Sequence, residues 1–529
     1  MYDAILIGGG HNGLTAAAYL ARAGLRVIVL ERREILGGTC VTEELWPGFK
    51  ISRAAYVAGL LRPAVVEELG LLRRGLKLLP RRPSSWTPDA NGPGLLFGRD
   101  EAANLAQIRH YSPRDAERMP AYERVIDRAA RVIEPLLDAP PFDPAHPRLA
   151  DLGPLLKALR AGIALRSDLT EALALVLGSA TNGINRWFES EPLRSTLATD
   201  ALIGAHAGPS TPGTGYVLFH HLMGDTGGAR GVWAYVEGGM GGLSAALADA
   251  AREAGAEIRT NAEVRRIGLR GGRACAVELA DGASLEARAI VSSIDPYHTL
   301  QLLGREHAPA EFASTVDATD FRSPVVKINL ALDSLPVFHA CPDVREPGPW
   351  HQGTIHLGAG TMDELDASFS AAERGELPEK PMIELTVPSA VDPTLAPRGK
   401  YVASLFVQHA PPRATAEFWE KNRERFADRV LACIDELSPG FSRRVVHRDV
   451  LTPLDLERVF GIRGGNIFHG AMTLDRLGPM RPAPGWSRYA TPLPGFFLCG
   501  AATHPGGGVM GACGRNAAKV IAESLRAER

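Results

Sequence analysis

No C-x-x-C pair occurs in the 529 residues, and the six cysteines, Cys40, Cys275, Cys341, Cys433, Cys499 and Cys513, are scattered. That excludes a redox-active dithiol and a disulfide framework, and leaves each cysteine expected as a small buried hydrophobe. No apolar run approaches the length of a membrane span. The first strand begins so close to Met1 that the chain as given leaves no room for a cleavable leader. A soluble protein of a reducing, cytoplasmic compartment is therefore expected, with peripheral contact at a membrane surface left open. A formal net charge of −2 gives no long-range attraction for nucleic acid. No histidine, cysteine or carboxylate spacing suggests a metal centre, and no Ser/His/Asp arrangement stands out. The length exceeds a single core and predicts two associated domains.

What is present is concentrated at the start. Ala4-Ile5-Leu6-Ile7 reads as a buried strand and runs into Gly8-Gly9-Gly10-His11-Asn12-Gly13, a G-x-G-x-x-G that opens a helix. Gly8 permits the tight turn, Gly10 lets backbone approach a pyrophosphate, and Gly13 lets helix and sheet lie close. The helix start offers unpaired N–H groups and a positive dipole end. The helix runs to Gly24, and Arg26-Val27-Ile28-Val29-Leu30 then delivers Glu31, whose carboxylate can accept from ribose hydroxyls. An acidic residue here disfavours a phosphorylated ribose, so the expected ligand is FAD or NAD rather than NADP.

Further along, residues 100–200 read as helix-rich, with Leu156, Leu159, Ile163 and Leu165 forming an amphipathic stripe. Such a stripe is usually core, and otherwise lines an apolar access route or touches a membrane. Arg73, Arg74, Lys77, Arg81 and Arg82 read as a solvated basic face. Trp233 to Leu243 leads into a helix ending at Gly255. Ser244 stands where a third glycine would be needed, so no second dinucleotide fingerprint follows. Asp281-Gly282 predicts a type I′ hairpin. Strands are expected over Val325 to Leu332, Met382 to Val387 and Tyr401 to His409. Phe496 to Gly500 reads as a strand running into a glycine-rich loop, with a helix from about Ala512 to Leu525. So many glycines at such a junction mean backbone approaching a ligand.

Glu31-Arg32-Arg33 through Leu36-Gly37-Gly38, Val236-Glu237-Gly238-Gly239-Met240-Gly241, Pro388-Ser389 through Pro397, Gly465 to Gly470 and Cys499-Gly500 through Gly511 together resemble the phytoene-desaturase-related flavoproteins and FAD-binding amine oxidases. The resemblance implies an α/β protein: a glutathione-reductase-type Rossmann-like FAD-binding domain with an interleaved mixed-sheet plus helical substrate domain. The FAD segments would be 1–85, 233–300 and 456–529, and the substrate segments 86–232 and 301–455. It implies FAD as cofactor, held by Gly8, Gly10, His11, Asn12, Gly13, Glu31, Arg33, Gly37, Gly38 and Val264. The late loop would contribute Gly500, Gly508, Val509 and Met510. The implied chemistry is a dehydrogenase or desaturase taking a hydride from a carbon centre of an apolar small molecule onto flavin N5. Oxygen, a quinone or a protein carrier would accept the electrons. His504 is the first catalytic candidate, His469 a second substrate-side group, and Trp233, Tyr235 and Phe468 candidate cavity walls. The alternative is a regulatory or carrier protein on the same fold, as in the GDP-dissociation inhibitor group.

Overall fold

The computed structural model describes every residue except 91, 145, 225, 227–230, 343 and 529. Its organising layer is a seven-stranded sheet. Tyr2–Ile7 pairs in parallel with Val27–Leu30 on one side and Ser284–Ser292 on the other. Glu257–Arg259 and Phe496–Leu498 extend the parallel part at its two ends. Val264–Arg270 and Arg273–Leu279 continue it as antiparallel strands. The central strands are buried on both faces, as parallel strands flanked by crossovers must be, which is why they read as unbroken apolar runs. The helix His11–Arg22 packs against Gly241–Glu253 and Ala512–Ala527, so the first, middle and last parts of the chain meet in one helical layer.

A second seven-stranded sheet carries, in spatial order, Val445–Leu451, Val325–Leu332, Tyr401–Gln408, Met382–Thr386, Thr354–Gly358, Ser85–Thr87 and Leu95–Phe97. Its residues alternate strictly between faces. Val326, Ile328, Ile383, Leu385, Leu405 and Val407 point towards Phe426 and Val430 of the helix Ala416–Asp435. The opposite face carries Lys327, Phe406, Glu384 and His356, which the strand register places in one row across four strands. A helical layer built on Tyr122, Ile184, Leu202 and Phe219 lies beyond it.

Three expectations need correction. The hairpin at Asp281-Gly282 forms, but only Gly282 is left-handed, at φ 87°. A type I′ turn needs positive φ at both central residues, so the connection is a longer glycine-closed turn. Arg81 does not belong to a solvated face. It is buried, donates to Thr354 Oγ1, and lies over the rings of Trp233 and Tyr235. The stripe expected as core lies wholly on the helix Leu152–Leu165, which a separate helix, Leu169–Leu177, follows, and of its four residues only Leu165 is buried.

Candidate active site

A cleft of about 450 Å³ opens at the carboxyl ends of the parallel strands. This is where an open α/β sheet leaves a crevice, because the connections from adjacent strands part there. Gly8, Gly10, His11, Asn12 and Gly13 line one side. Glu31, Arg33, Gly37 and Gly38 follow, with Val264 nearby.

The glycines of the first turn differ in what they answer to. A Cβ on Gly13 would stand 2.3 Å from Gly8 O, so the packing of strand on helix requires glycine there. Gly10 has an ordinary φ of −70°, and a Cβ on it would meet nothing nearer than Gly37 O at 4.0 Å. The protein itself makes no demand for glycine at position 10. The open space lies in the cleft, where a phosphate-bearing ligand needs close backbone approach.

Glu31 is only 6% exposed, and its carboxylate accepts from Gly9 N at 2.8 Å and from Arg33 N at 2.9 Å. Those bonds lock it at the strand end with lone pairs left over for a ligand. Arg33 donates through Nη2 to Glu43 Oε1 at 2.6 Å, while its Nη1 is buried without a partner among the described residues. A buried guanidinium N–H with nothing to donate to is costly, and an anionic ligand in the cleft would satisfy it. On these observations the residues fit FAD.

The cleft is continuous with a second, apolar cavity of about 140 Å³. His11, Thr39, Ile462, His469 and Ala501 line both. His469 sits at this junction in the left-handed region, at φ 57°, with Nδ1 lacking a partner among the described residues. Burial pushes its pKa down, and pushes that of His11 down to about 4, so both imidazoles stand neutral. Val57, Leu60, Ile203, Trp233, Ile467 and Phe468 supply much of the apolar lining. Trp233 and Phe468 thus occupy the cavity wall as expected, whereas Tyr235 lies outside the lining.

Into this lining projects Lys327, which is 2% exposed. Its ammonium donates to Asn329 Oδ1 at 3.1 Å and to Ser404 Oγ, and it stands 4.7 Å from the centre of the Tyr56 ring. No carboxylate among the described residues forms a salt bridge with it, and burial brings its pKa down to about 7. Beside it Tyr56 donates to Glu384 at 2.8 Å, and burial raises that carboxyl to about 7. Sequence reasoning passed over Lys327. The available signal was a lone lysine among apolar residues in Val325-Val326-Lys327-Ile328-Asn329-Leu330, a pattern a surface strand would not show.

The late loop divides. Gly508 and Val509 line the apolar cavity, and Ala501 lines both spaces. Gly500 packs against Ser293 O, and Met510 is buried with Leu60 and Ala512. His504 lines neither space: its Nε2 is held 2.8 Å from Leu136 O and its carbonyl accepts from Tyr489. That position anchors the loop to the end of the Pro113–Leu137 helix and gives the catalytic expectation for His504 no support.

A dinucleotide cleft beside a mainly apolar cavity that holds a buried lysine is the site of an FAD-dependent oxidoreductase that takes a hydride from a carbon centre. The chain belongs to the flavin containing amine oxidoreductase family, which matches residues 204–522, and an NAD(P)-binding Rossmann-like domain matches residues 6–63. It is 46% identical to rat pyridine nucleotide-disulfide oxidoreductase domain-containing protein 2, over 99% of this chain and 94% of that protein. It is 27% identical to the lycopene-forming phytoene desaturase of Pseudescherichia vulneris, over 99% of this chain and the whole of that one. The solved structure of an oxidoreductase from Methanosarcina mazei has the same fold, with a TM-score of 0.62 at 18% identity over 98% and 99% of the two chains. Among the described residues no group of side chains could hold a metal ion, and no helix is long and apolar enough to cross a membrane.

Proposed function

We propose that the apolar cavity receives a substrate of hydrocarbon character and that Lys327 takes the proton released as a double bond forms. The carrying observation is the buried Lys327 amine in a mainly apolar lining that shares His11, Thr39, Ile462, His469 and Ala501 with the cofactor cleft. Bound FAD would supply the two-electron oxidising capacity for this chemistry, with oxygen, a quinone or a protein carrier as the final acceptor. Dehydrogenation removes a hydride from one atom and a proton from its neighbour, so the chain must provide a proton acceptor. A neutral amine in a dry site does this with little reorganisation. Ser404 and Asn329 fix the amine's direction. The apolar walls exclude water, and neutral His11 and His469 border the junction without presenting charge to the donor. The lycopene-forming desaturase among the relatives acts on phytoene, a hydrocarbon, which supports an apolar substrate class here.

Segments 1–85, 233–300 and 456–529 would hold the FAD. Gly8, Gly10 and Gly13 would lie at the pyrophosphate, Glu31 at the ribose, Arg33 at the phosphates, and Val264 at the adenine through its backbone. Glu31→Ala is expected to purify with at least about tenfold less FAD, because it removes a charge-assisted ribose contact and orphans two N–H groups. Heat-released flavin per chain is the measurement, and a full complement would remove Glu31 from the site.

Anaerobic addition of apolar donors, followed by the visible spectrum, tests the reading as a whole. A hydrocarbon or amine donor is expected to bleach the flavin band in one phase. Bound FAD that no such donor bleaches would overturn it and favour a regulatory flavoprotein.

A further inference from the structure

The helices Leu152–Leu165 and Leu169–Leu177 carry an apolar surface that nothing among the described residues covers. The first presents Leu152, Leu156, Leu159 and Ile163 at helical spacing, and the second Leu169, Leu173 and Leu177. Each of these is between 45% and 59% exposed, and Leu149 just before them is 87% exposed. Only Ala158 and Leu165 are buried on the first helix. Eight aliphatic side chains near half exposure or above lie on these consecutive helices and the turn before them, together exposing roughly several hundred Å².

Within residues 148–177 the charges left outside salt bridges have one sign. Residues 148–177 contain three acids, and each is engaged: Asp151 with Arg488, Asp168 with Arg128, and Glu171 with Arg186. The side chains of the four bases Arg148, Lys157, Arg160 and Arg166 are exposed and form no salt bridge among the described residues. Leucine beside unpaired lysine and arginine is the composition of a helix that lies in the plane of an anionic bilayer. A second copy of the chain is a poorer occupant, since a two-fold interface would set this cationic patch against itself.

The same helices reach the cavity. On the inner side of Leu169–Leu177, Val176 packs against Tyr216, Phe468 and Met472, and Phe468 is cavity wall. We infer that residues 149–177 seat the protein on an anionic membrane leaflet, from which an apolar substrate passes behind the second helix to the Lys327 cavity. The delivery route rests on the proposed function above; the membrane contact stands without it.

FAD-loaded protein sedimented with phosphatidylcholine vesicles, with and without phosphatidylglycerol, tests the contact. Binding is expected with the anionic vesicles and is expected to weaken as salt rises. L156S/L159S/I163S should lower the bound fraction about tenfold or more, and K157E/R160E should remove the preference for anionic lipid, in both cases with an unchanged flavin spectrum showing the fold intact. No sedimentation with anionic vesicles, or sedimentation that both variants leave unchanged, would overturn the inference. So would a lipid-free dimer, seen by analytical ultracentrifugation, that the triple variant dissociates. Donor bleaching in solution is read separately, so a failed substrate reading and a failed membrane reading are told apart.

Discussion

Gly10→Val is expected to yield a folded protein that purifies without its yellow colour. Valine is compatible with the backbone at this position, whose φ of −70° and ψ of 169° are extended. The nearest heavy atom to the added Cβ is 4.0 Å away, so the Cβ itself compresses no contact of the apoprotein. The added methyl groups would enter the cleft between Gly8–Gly13 and Gly37–Gly38, where the phosphates need the backbone. A steric block worth about 3 kcal/mol or more would weaken retention at least about a hundredfold. Gly13→Ala provides the contrast. Its Cβ would be driven against Gly8 O, and it should lower the melting temperature of the apoprotein, which Gly10→Val should leave within a few degrees. The measurements are flavin per chain and thermal unfolding of the stripped proteins. A yellow Gly10→Val protein would place the pyrophosphate elsewhere.

Lys327→Met is expected to do the opposite, keeping the flavin and losing the chemistry. Bleaching by a productive donor should slow by about 10²-fold or more, the usual worth of a positioned base. The parent rate should rise with pH through about 7, as the amine loses its proton, and the variant should show no such rise. The stability of the parent should rise with pH as well. The folded-state pKa of Lys327 lies below the ordinary lysine value, so the unfolded chain binds more protons between about 7 and that value. Stability therefore climbs with pH across that window, and below it the burial penalty is fully present. Methionine keeps much of the volume and carries no charge to bury, so Lys327→Met should melt at or above the parent's temperature and lose that pH dependence. A slowed variant that also melts early would point to a packing role instead. One that bleaches at the parent's rate would end the case for Lys327 as the base.

The cofactor half was legible because its signals are local. Strand, glycine turn, helix and acid follow within Met1 to Glu31, and each imposes a backbone or charge requirement on its immediate neighbours. The strands at Val325–Leu332, Met382–Thr386 and Tyr401–Gln408 were legible for the same reason, as alternation survives without knowledge of partners. What lies between strands was not. Lys327, Glu384 and His356 fall into one row only through the register of four strands that are dispersed along the chain. His504 looked catalytic because it sits in the glycine-rich loop, but the partner that turns it away, Leu136, is 368 residues distant. The Leu152–Leu165 helix has the periodicity of a core element, and periodicity alone does not reveal whether anything packs on the stripe.

The first helix, His11–Arg22, is sandwiched between Gly241–Glu253 and Ala512–Ala527, and residues from Glu457 to Ala501 complete the cleft it opens. A chain emerging from the ribosome therefore displays its dinucleotide turn hundreds of residues before the walls that would retain a ligand exist. A flavin held in this cleft would be enclosed only once residues 457–501 had folded back against the first turn. Without flavin, the first turn and residues 457–501 would face each other across an open cleft, and the bonding capacity of the Arg33 Nη1 would stay unmet.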